Sequence, residues 1–161
     1  MRYRLGAAML VAVGFAAATT TSLAGQTPRQ TQVERNGANV MPFSIAATMH
    51  HFMPTSTGGV QTVLVHDGDR RQVALVRGHL RKEAAAFTKG DFSDPATIHG
   101  ADMPGLKAMR SGSSRIAIRY DDVANGARIT YSTRDHALVS AIHVWFRAQT
   151  DDHGAHATMK M

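Results

Sequence analysis

The chain of 161 residues contains no cysteine. This absence excludes disulfide bonds, a nucleophilic thiol, thiolate metal ligands and the acylated cysteine of a lipoprotein. Aromatic residues are few, and the basic residues behind the formal net charge of +6 are scattered along the chain instead of forming a run. Surfaces that bind nucleic acids combine a basic groove with stacking aromatic side chains. We therefore expect no nucleic-acid partner.

Familiar catalytic motifs are missing as well. The sequence has no G-x-S-x-G elbow, P-loop, H-E-x-x-H motif or dinucleotide fingerprint. Ser132-Thr133-Arg134 looks like the Ser-Thr-Arg element that binds carbamoyl phosphate in carbamoyltransferases. Those enzymes need two large α/β domains, whereas this tripeptide closes a predicted strand in a chain of less than half that size. A carbamoyltransferase activity is therefore unsupported, and we favour binding over catalysis.

An export signal is predicted at the N-terminus. Arg2 and Arg4 precede an apolar stretch over residues 5–18, and Ser22-Leu23-Ala24 fits the small-x-small rule for cleavage. The apolar stretch is shorter than the roughly 20 residues that a membrane-spanning helix needs. We predict a signal peptide over residues 1–24, a periplasmic or secreted protein, and no stable membrane insertion after cleavage.

Histidine and methionine are abundant, with nine of each in the chain. Outside the cytoplasm thiols oxidise or pair, so a protein that holds a soft metal there without cysteine must use imidazole and thioether ligands. The composition therefore predicts an exported metal-binding protein, and we favour a copper buffer or carrier. The sequence identifies no protein partner.

The pattern of predicted elements indicates an α+β fold. Alternation and valine content predict strands, and apolar residues at three- and four-residue steps predict helices. The predicted strands cover residues 44–53, 60–66, 115–120 and 127–133, and the predicted helices cover residues 71–89 and 136–150. This order predicts a duplicated ββα unit, in which two helices pack on one face of a four-stranded antiparallel sheet.

The predicted domain organisation follows from composition. Residues 25–42 are polar and lack periodicity, which predicts a flexible lead-in. Residues 43–150 contain all the predicted strands and helices and form one domain. Residues 151–161 form a polar tail that is rich in histidine and methionine.

Three clusters supply candidate metal ligands. His50 and His51 adjoin on a predicted strand, so their side chains point to opposite faces and only one can enter a given site. His99 and Met103 lie four residues apart in a connection rich in glycine and proline, and one imidazole with one thioether suits Cu(I) or haem iron. With the tail included, the predicted metal ligands are His50, His51, His99, Met103, His153 and His156.

Two alternative functions remain open at this level. His79 and His143 lie on predicted helices beside the apolar stripes and are candidate cofactor ligands, and because no C-x-x-C-H motif is present any haem would be non-covalent. Glu83, one turn after His79, could orient that imidazole. A small enzyme could instead use histidine as a general base, paired as His79 with Glu83 or as His99 with Asp102.

Several stretches resemble a group of small exported bacterial proteins of unknown function, some of which carry an aspartate carbamoyltransferase label that their size does not support. The stretches are His50-His51-Phe52, Val76-Arg77-Gly78-His79-Leu80-Arg81, Lys89-Gly90-Asp91-Phe92, Ile98-His99-Gly100-Ala101-Asp102-Met103-Pro104-Gly105-Leu106, Ala141-Ile142-His143-Val144-Trp145-Phe146 and Asp152-His153-Gly154. The resemblance implies that His50, His79, His99, Met103, His143 and His153 belong to the family's pattern. It implies no activity.

Overall fold

The computed structural model describes residues 25–160. The predicted signal peptide over residues 1–24 lies outside the described residues, as does Met161. The elements in chain order are α1 (Pro28–Ala38), β1 (Thr48–Thr55), β2 (Gly58–Val65), α2 (Arg70–Thr88), α3 (Ser93–His99), α4 (Leu106–Ser111), β3 (Ala117–Val123), β4 (Gly126–Ser132), α5 (His136–His153) and β5 (Ala157–Met159). Single turns of 3-10 helix occupy Ile45–Ala47, Ser113–Arg115 and Gly154–His156.

The fold is α+β, as the sequence predicts, with one mixed sheet. The described strands form a five-stranded sheet in the order β3-β4-β2-β1-β5. The pairs β1–β2, β2–β4 and β3–β4 are antiparallel, whereas β5 pairs parallel with β1. The prediction of a four-stranded, purely antiparallel sheet is therefore wrong in detail, because the chain after α5 returns to add a fifth strand.

The two long helices cover one face of the sheet. Helix α2 contacts β2, β3 and β4, and α5 contacts β1, β2 and β5. Alternate strand residues point into this layer, where Phe52 lies 5.1 Å from Phe146 and Tyr131 lies 5.6 Å from Trp145, measured between ring centroids. These side chains are almost completely buried, and full burial of one large apolar side chain contributes about 1.5–3 kcal/mol. None of the described helices is both long enough and apolar enough to cross a membrane.

The segment predicted as a flexible lead-in contains helix α1, so that prediction is wrong. Thr27 and Gln30 form a capping box, and Pro28 occupies the first turn, where its missing N–H has no cost. The helix is polar, so it lacks the apolar stripe that sequence reasoning searches for. It is held by hydrogen bonds to other elements, which include Asn36 Nδ2 donating to the carbonyl of Ile98 at 3.0 Å, and by Val33, which is buried in the core.

The C-terminal segment is likewise part of the domain and not a separate tail. Helix α5 continues through His153, and β5 then lies beside β1 with Ala157 opposite His50. The backbone N–H of Lys160 donates to the carbonyl of Phe52 at 3.0 Å. The structure therefore corrects the boundary at residue 150, since Asp152 and His153 are buried against the core.

Candidate functional site

Four of the predicted histidines line one cavity between the sheet and helices α2, α3 and α5. They come from four separate elements: His50 from β1, His79 from α2, His99 from α3 and His153 from the end of α5. The cavity has a volume of about 40 Å³. Its other lining residues include Met41, Glu83, Trp145 and Gln149.

The pairing of β1 decides which of its two adjacent histidines faces the cavity. His50 lies opposite Val63 and Ala157 in the sheet and is 3% exposed on the helix-covered face. His51 points to the other face, where its Nδ1 lies 2.9 Å from the hydroxyl of Thr158. Because alternate residues of a strand point to opposite faces, His51 contributes nothing to the cavity.

His153 contacts both of the other buried imidazoles. Its ring stacks on that of His50 with a centroid distance of 4.7 Å, and it meets the edge of His99 at 5.0 Å. Burial lowers the pKa of His50 to about 4, even though a hydrogen bond with the backbone of His156 opposes the shift. Burial also lowers the pKa of His153 well below its ordinary value. These two imidazoles are therefore neutral at neutral pH and available as ligands.

His99 is oriented by a carboxylate that an arginine holds in turn. Asp152 Oδ2 lies 2.8 Å from His99 Nδ1, so Nδ1 donates a hydrogen bond to the carboxylate. Arg29 on α1 donates to both Asp152 oxygens at 2.8 and 2.7 Å, and also to the backbone carbonyl of His99 at 2.6 Å. Histidines that ligate metals almost always donate their other N–H to a carboxylate or carbonyl in this way.

A second cluster lies where α2 and α3 meet. His79 and Glu83, four residues apart on α2, share a face with Asp94 from the first turn of α3, and one ligand atom from each lies within 4.8 Å of the others. Burial and a hydrogen bond with Asp94 raise the pKa of Glu83 to about 8, so Glu83 is protonated and donates to the Asp94 carboxylate. Lys82 Nζ, on the exposed side, lies 3.0 Å from Asp94 Oδ2.

Three buried polar atoms that line the cavity have no hydrogen-bond partner within the described part of the chain. They are His50 Nδ1, Trp145 Nε1 and Gln149 Nε2. A buried donor without a partner costs about 1–3 kcal/mol. Such groups cluster where a protein binds something, and here all three border the same small volume.

The remaining predicted site residues lie elsewhere. Met103 is buried in the hydrophobic core and does not line the histidine cavity. His143 Nε2 donates to the carbonyls of Thr55 and Gly58 at 3.0 and 2.9 Å, which ties α5 to the β1–β2 turn. His156 is partly buried in the turn that precedes β5.

Sequence reasoning missed Asp94, Gln149, Asp152 and Arg29. Gln149 lies on the apolar stripe of α5, where one amide among large apolar residues is a signal that the stripe faces a polar space. Asp94 follows a helix that presents histidine and glutamate one turn apart, so its position could have been suspected. Arg29 had no such signal, because it lies far along the chain from Asp152.

Comparison with known proteins adds no relative to this description. No protein-family model matches the chain, and neither the curated proteins nor the solved structures give a match. The fold and the site therefore define an α+β protein with a histidine-lined cavity, and that cavity is the feature that bears on its function.

Proposed function

We propose that the protein is an exported metal-binding protein that buffers or carries a divalent transition-metal ion, held by His79, Glu83 and Asp94. The observation that carries the proposal is the convergence of these three side chains, whose ligand atoms lie within 4.8 Å of one another. His79 and Glu83 line the same cavity as His50, His99 and His153, whereas Asp94 lies outside its lining. Proposed export depends on the predicted signal peptide.

The ligand set favours borderline divalent ions. One imidazole nitrogen and two carboxylate oxygens suit Zn²⁺, Ni²⁺ and Cu²⁺. Among these divalent ions Cu²⁺ has the highest affinity, in accordance with the Irving–Williams order. Two ligands at i and i+4 on a helix point to the same side, so α2 presents His79 and Glu83 together. Copper therefore remains the proposed metal, as Cu²⁺, because Met103 contributes no thioether here.

The burial of Glu83 favours a metal ion, and not a permanent ion pair, as the partner of its carboxyl group. The residue is 6% exposed, and burial raises the pKa of Glu83 to about 8 with a further contribution from Asp94. A divalent ion placed between the two carboxyl groups would take the position of the shared proton. Metal uptake at neutral pH should accordingly release a proton and strengthen as the pH rises.

Three further imidazoles line the same cavity as His79 and Glu83 and offer additional nitrogen ligands. His99 has its ring fixed by Asp152, and His50 and His153 stack beside it. Neither His50 nor His153 needs to lose a proton to approach a cation, since burial lowers the pKa of His50 to about 4 and that of His153 well below its ordinary value.

The alternative of haem binding has less support. A cavity of about 40 Å³ is far smaller than the roughly 300–1,000 Å³ of ordinary cofactor pockets. His143 donates its Nε2 proton to two carbonyls, so that nitrogen is not free to bind iron. We therefore do not propose haem.

Isothermal titration of the purified protein with Cu²⁺, Ni²⁺ and Zn²⁺ tests the proposal. We expect about one equivalent of metal per chain, and a gain in thermal stability when metal is present, because a ligand that binds only the folded state stabilises it. His79→Ala and Asp94→Asn should each weaken binding by more than the roughly 10–100-fold that loss of an outer-shell partner causes.

His51→Ala is the matched control, because it removes one imidazole from the opposite face of the sheet and should leave the affinity unchanged. Wild-type affinity in His79→Ala would contradict the assignment. Binding that survives His79→Ala and is lost in His153→Gln would place the metal among the imidazoles instead, and would equally overturn it.

A further inference from the structure

The cavity contains more unused hydrogen-bonding capacity than a metal site at its α2 side accounts for. Trp145 Nε1 and Gln149 Nε2 line the cavity and have no partner among residues 25–160. These residues are 1% and 5% exposed. They lie four residues apart on α5, so their side chains lie on the same face of that helix.

The chemistry of these two groups selects the kind of ligand. An indole N–H can only donate, and the amide nitrogen of glutamine also donates. The nearby His50 Nδ1, equally without a partner, is the acceptor nitrogen of its neutral ring, because the other ring nitrogen donates to the backbone of His156. Two fixed donors on one side of a small space are suited to a ligand that presents two acceptor oxygens.

The volume of the cavity limits the size of that ligand. A single water needs about 10–15 Å³ of this kind of space, so a cavity of about 40 Å³ holds roughly three water-sized groups. Formate has three heavy atoms and fits this limit. Tetrahedral oxyanions and ring-bearing carboxylates are too large.

We propose that the cavity binds a small carboxylate of the size of formate, with Trp145 and Gln149 donating to its oxygens, as a partner ligand to the bound metal ion. This inference rests on the proposed function, because the carboxylate would bind as a ligand of that metal ion. His79, Glu83 and Asp94 offer three protein ligands, which leaves a coordination position for an exchangeable group.

Among the described residues, no lysine or arginine side chain lines the cavity to neutralise such an anion. Arg29 is committed to Asp152 by two hydrogen bonds. A carboxylate should therefore bind tightly only when the metal is present.

The test measures Cu²⁺ affinity with and without formate, in a buffer that contains no carboxylate. Binding of Cu²⁺ alone is measured first, so a failure of the proposed metal site is seen separately from a failure of this inference. We expect saturating formate to raise the Cu²⁺ affinity about tenfold, within the range of coupling between linked sites. Acetate should act more weakly, and benzoate, sulfate and the neutral acetamide should have no effect.

Two variants and a control assign the effect to the two donors. Trp145→Phe removes the indole N–H, and Gln149→Met replaces the amide by an apolar chain of similar length. In each, the ratio of Cu²⁺ affinity with formate to that without it should fall towards one. Thr150→Val is the matched control on the same helix, because the hydroxyl of Thr150 bonds the carbonyl of Phe146 outside the cavity; it should keep the full formate effect.

Folding of every variant is checked by circular dichroism before titration. If Trp145→Phe does not fold, the formate effect measured in Gln149→Met tests the inference instead. Absence of a formate effect in the wild-type protein, with Cu²⁺ bound, would mean that only water occupies these donors and would overturn the inference. An effect that persists undiminished in Gln149→Met, or that benzoate reproduces, would also overturn it.

Discussion

The Nδ1 atom of His99 lies 2.8 Å from Oδ2 of Asp152, and both residues are buried. Arg29 completes this arrangement from the first turn of α1, with its guanidinium on both oxygens of the same carboxylate. One ion pair therefore fastens the N-terminal helix, fixes an imidazole of the cavity and anchors the end of α5. Burial alone would raise the pKa of Asp152, but hydrogen bonds from His99 and Arg29 lower it to about 2.

Asp152→Asn should weaken both the attachment of α1 and the orientation of His99. The substitution removes the charge that Arg29 contacts, and hydrogen bonds to charged groups contribute about 1.5–3 kcal/mol. Since the Arg29 side chain is 52% exposed, water compensates part of the loss. We expect the free energy of unfolding to fall by about 2 kcal/mol, as measured by urea denaturation at pH 7.

Asp151→Asn is the control for this variant, because the adjacent carboxylate is exposed and makes no ion pair with Arg29. It should unfold at the wild-type urea concentration. Equal stability of Asp152→Asn and Asp151→Asn would show that the pair does not hold α1 in place.

The protein should lose stability in mild acid, and His50 should account for much of the loss. Burial lowers the pKa of His50 to about 4 from an ordinary value of 6.5, so between these values the unfolded chain binds more protons than the folded one. The stabilising contribution of this residue is then fully present above pH 6.5. The free energy of unfolding falls as the pH drops towards 4, by about 3 kcal/mol for this residue. His50→Gln should reduce the slope of unfolding free energy against pH across that window.

The slope should be reduced and not abolished, because burial lowers the pKa of His153 in the same direction. His136→Gln changes an exposed histidine at the start of α5 and should leave the slope as it is. An unaltered slope in His50→Gln would mean that His50 is already solvated or charged in the folded protein.

Much of the fold could be predicted from sequence because its central elements bury a regular pattern. The apolar stripe through Val76, Leu80 and Phe87 faces the sheet in α2, and alternation marks β4. Helix α1 and strand β5 could not be predicted in this way. Their residues are polar or few, and each is held by partners from distant parts of the chain, such as Asp152 for α1 and Phe52 for β5.

The candidate site could be predicted only in part, for a related reason. The sequence indicates that histidines from remote stretches are candidates, but not which of two adjacent residues faces inwards. That choice depends on the register of β1 against β2 and β5, which places His50 in the cavity and His51 outside it. Asp94 joins His79 and Glu83 only because α3 packs back towards α2, and the spacing of His79 and Glu83 makes such a partner plausible without encoding that approach.

Glu83→Gln should stabilise the metal-free protein in alkaline solution. Burial, with a contribution from Asp94, raises the pKa of Glu83 from 4.5 to about 8, so the folded chain binds more protons than the unfolded one between these values. Stability therefore falls as the pH rises from 4.5 to 8, by at most about 5 kcal/mol. Glutamine keeps a donor towards Asp94 without ionising. Thermal melts at pH 5 and pH 9, with a chelator present, should show that the variant loses less stability than the wild type.

Glu34→Gln provides the control, since Glu34 is an exposed glutamate on α1 and should not change the difference between the two pH values. The same Glu83→Gln protein should bind Cu²⁺ more weakly, because an amide is a poorer ligand than a carboxylate. A variant that shows the same alkaline loss as the wild type would refute the buried, protonated state of Glu83.

Removal of residues 154–161 should destabilise the domain and expose the edge of β1. The cut leaves Asp152 and His153 in place, but it removes β5, the hydrogen bond from Lys160 to Phe52 and the contact of Thr158 with His51. Loss of a few net hydrogen bonds of about 1 kcal/mol each predicts a fall of about 2–3 kcal/mol in unfolding free energy. A bare strand edge also pairs readily with other chains, so light scattering should detect association at high concentration. Thr158→Ala, which removes one side-chain hydrogen bond and keeps the strand, should scatter light as the wild type does and melt at nearly the same temperature. If the truncated chain melts with the wild type and scatters no more light than it does, then β5 contributes nothing to the sheet that places His50 in the cavity.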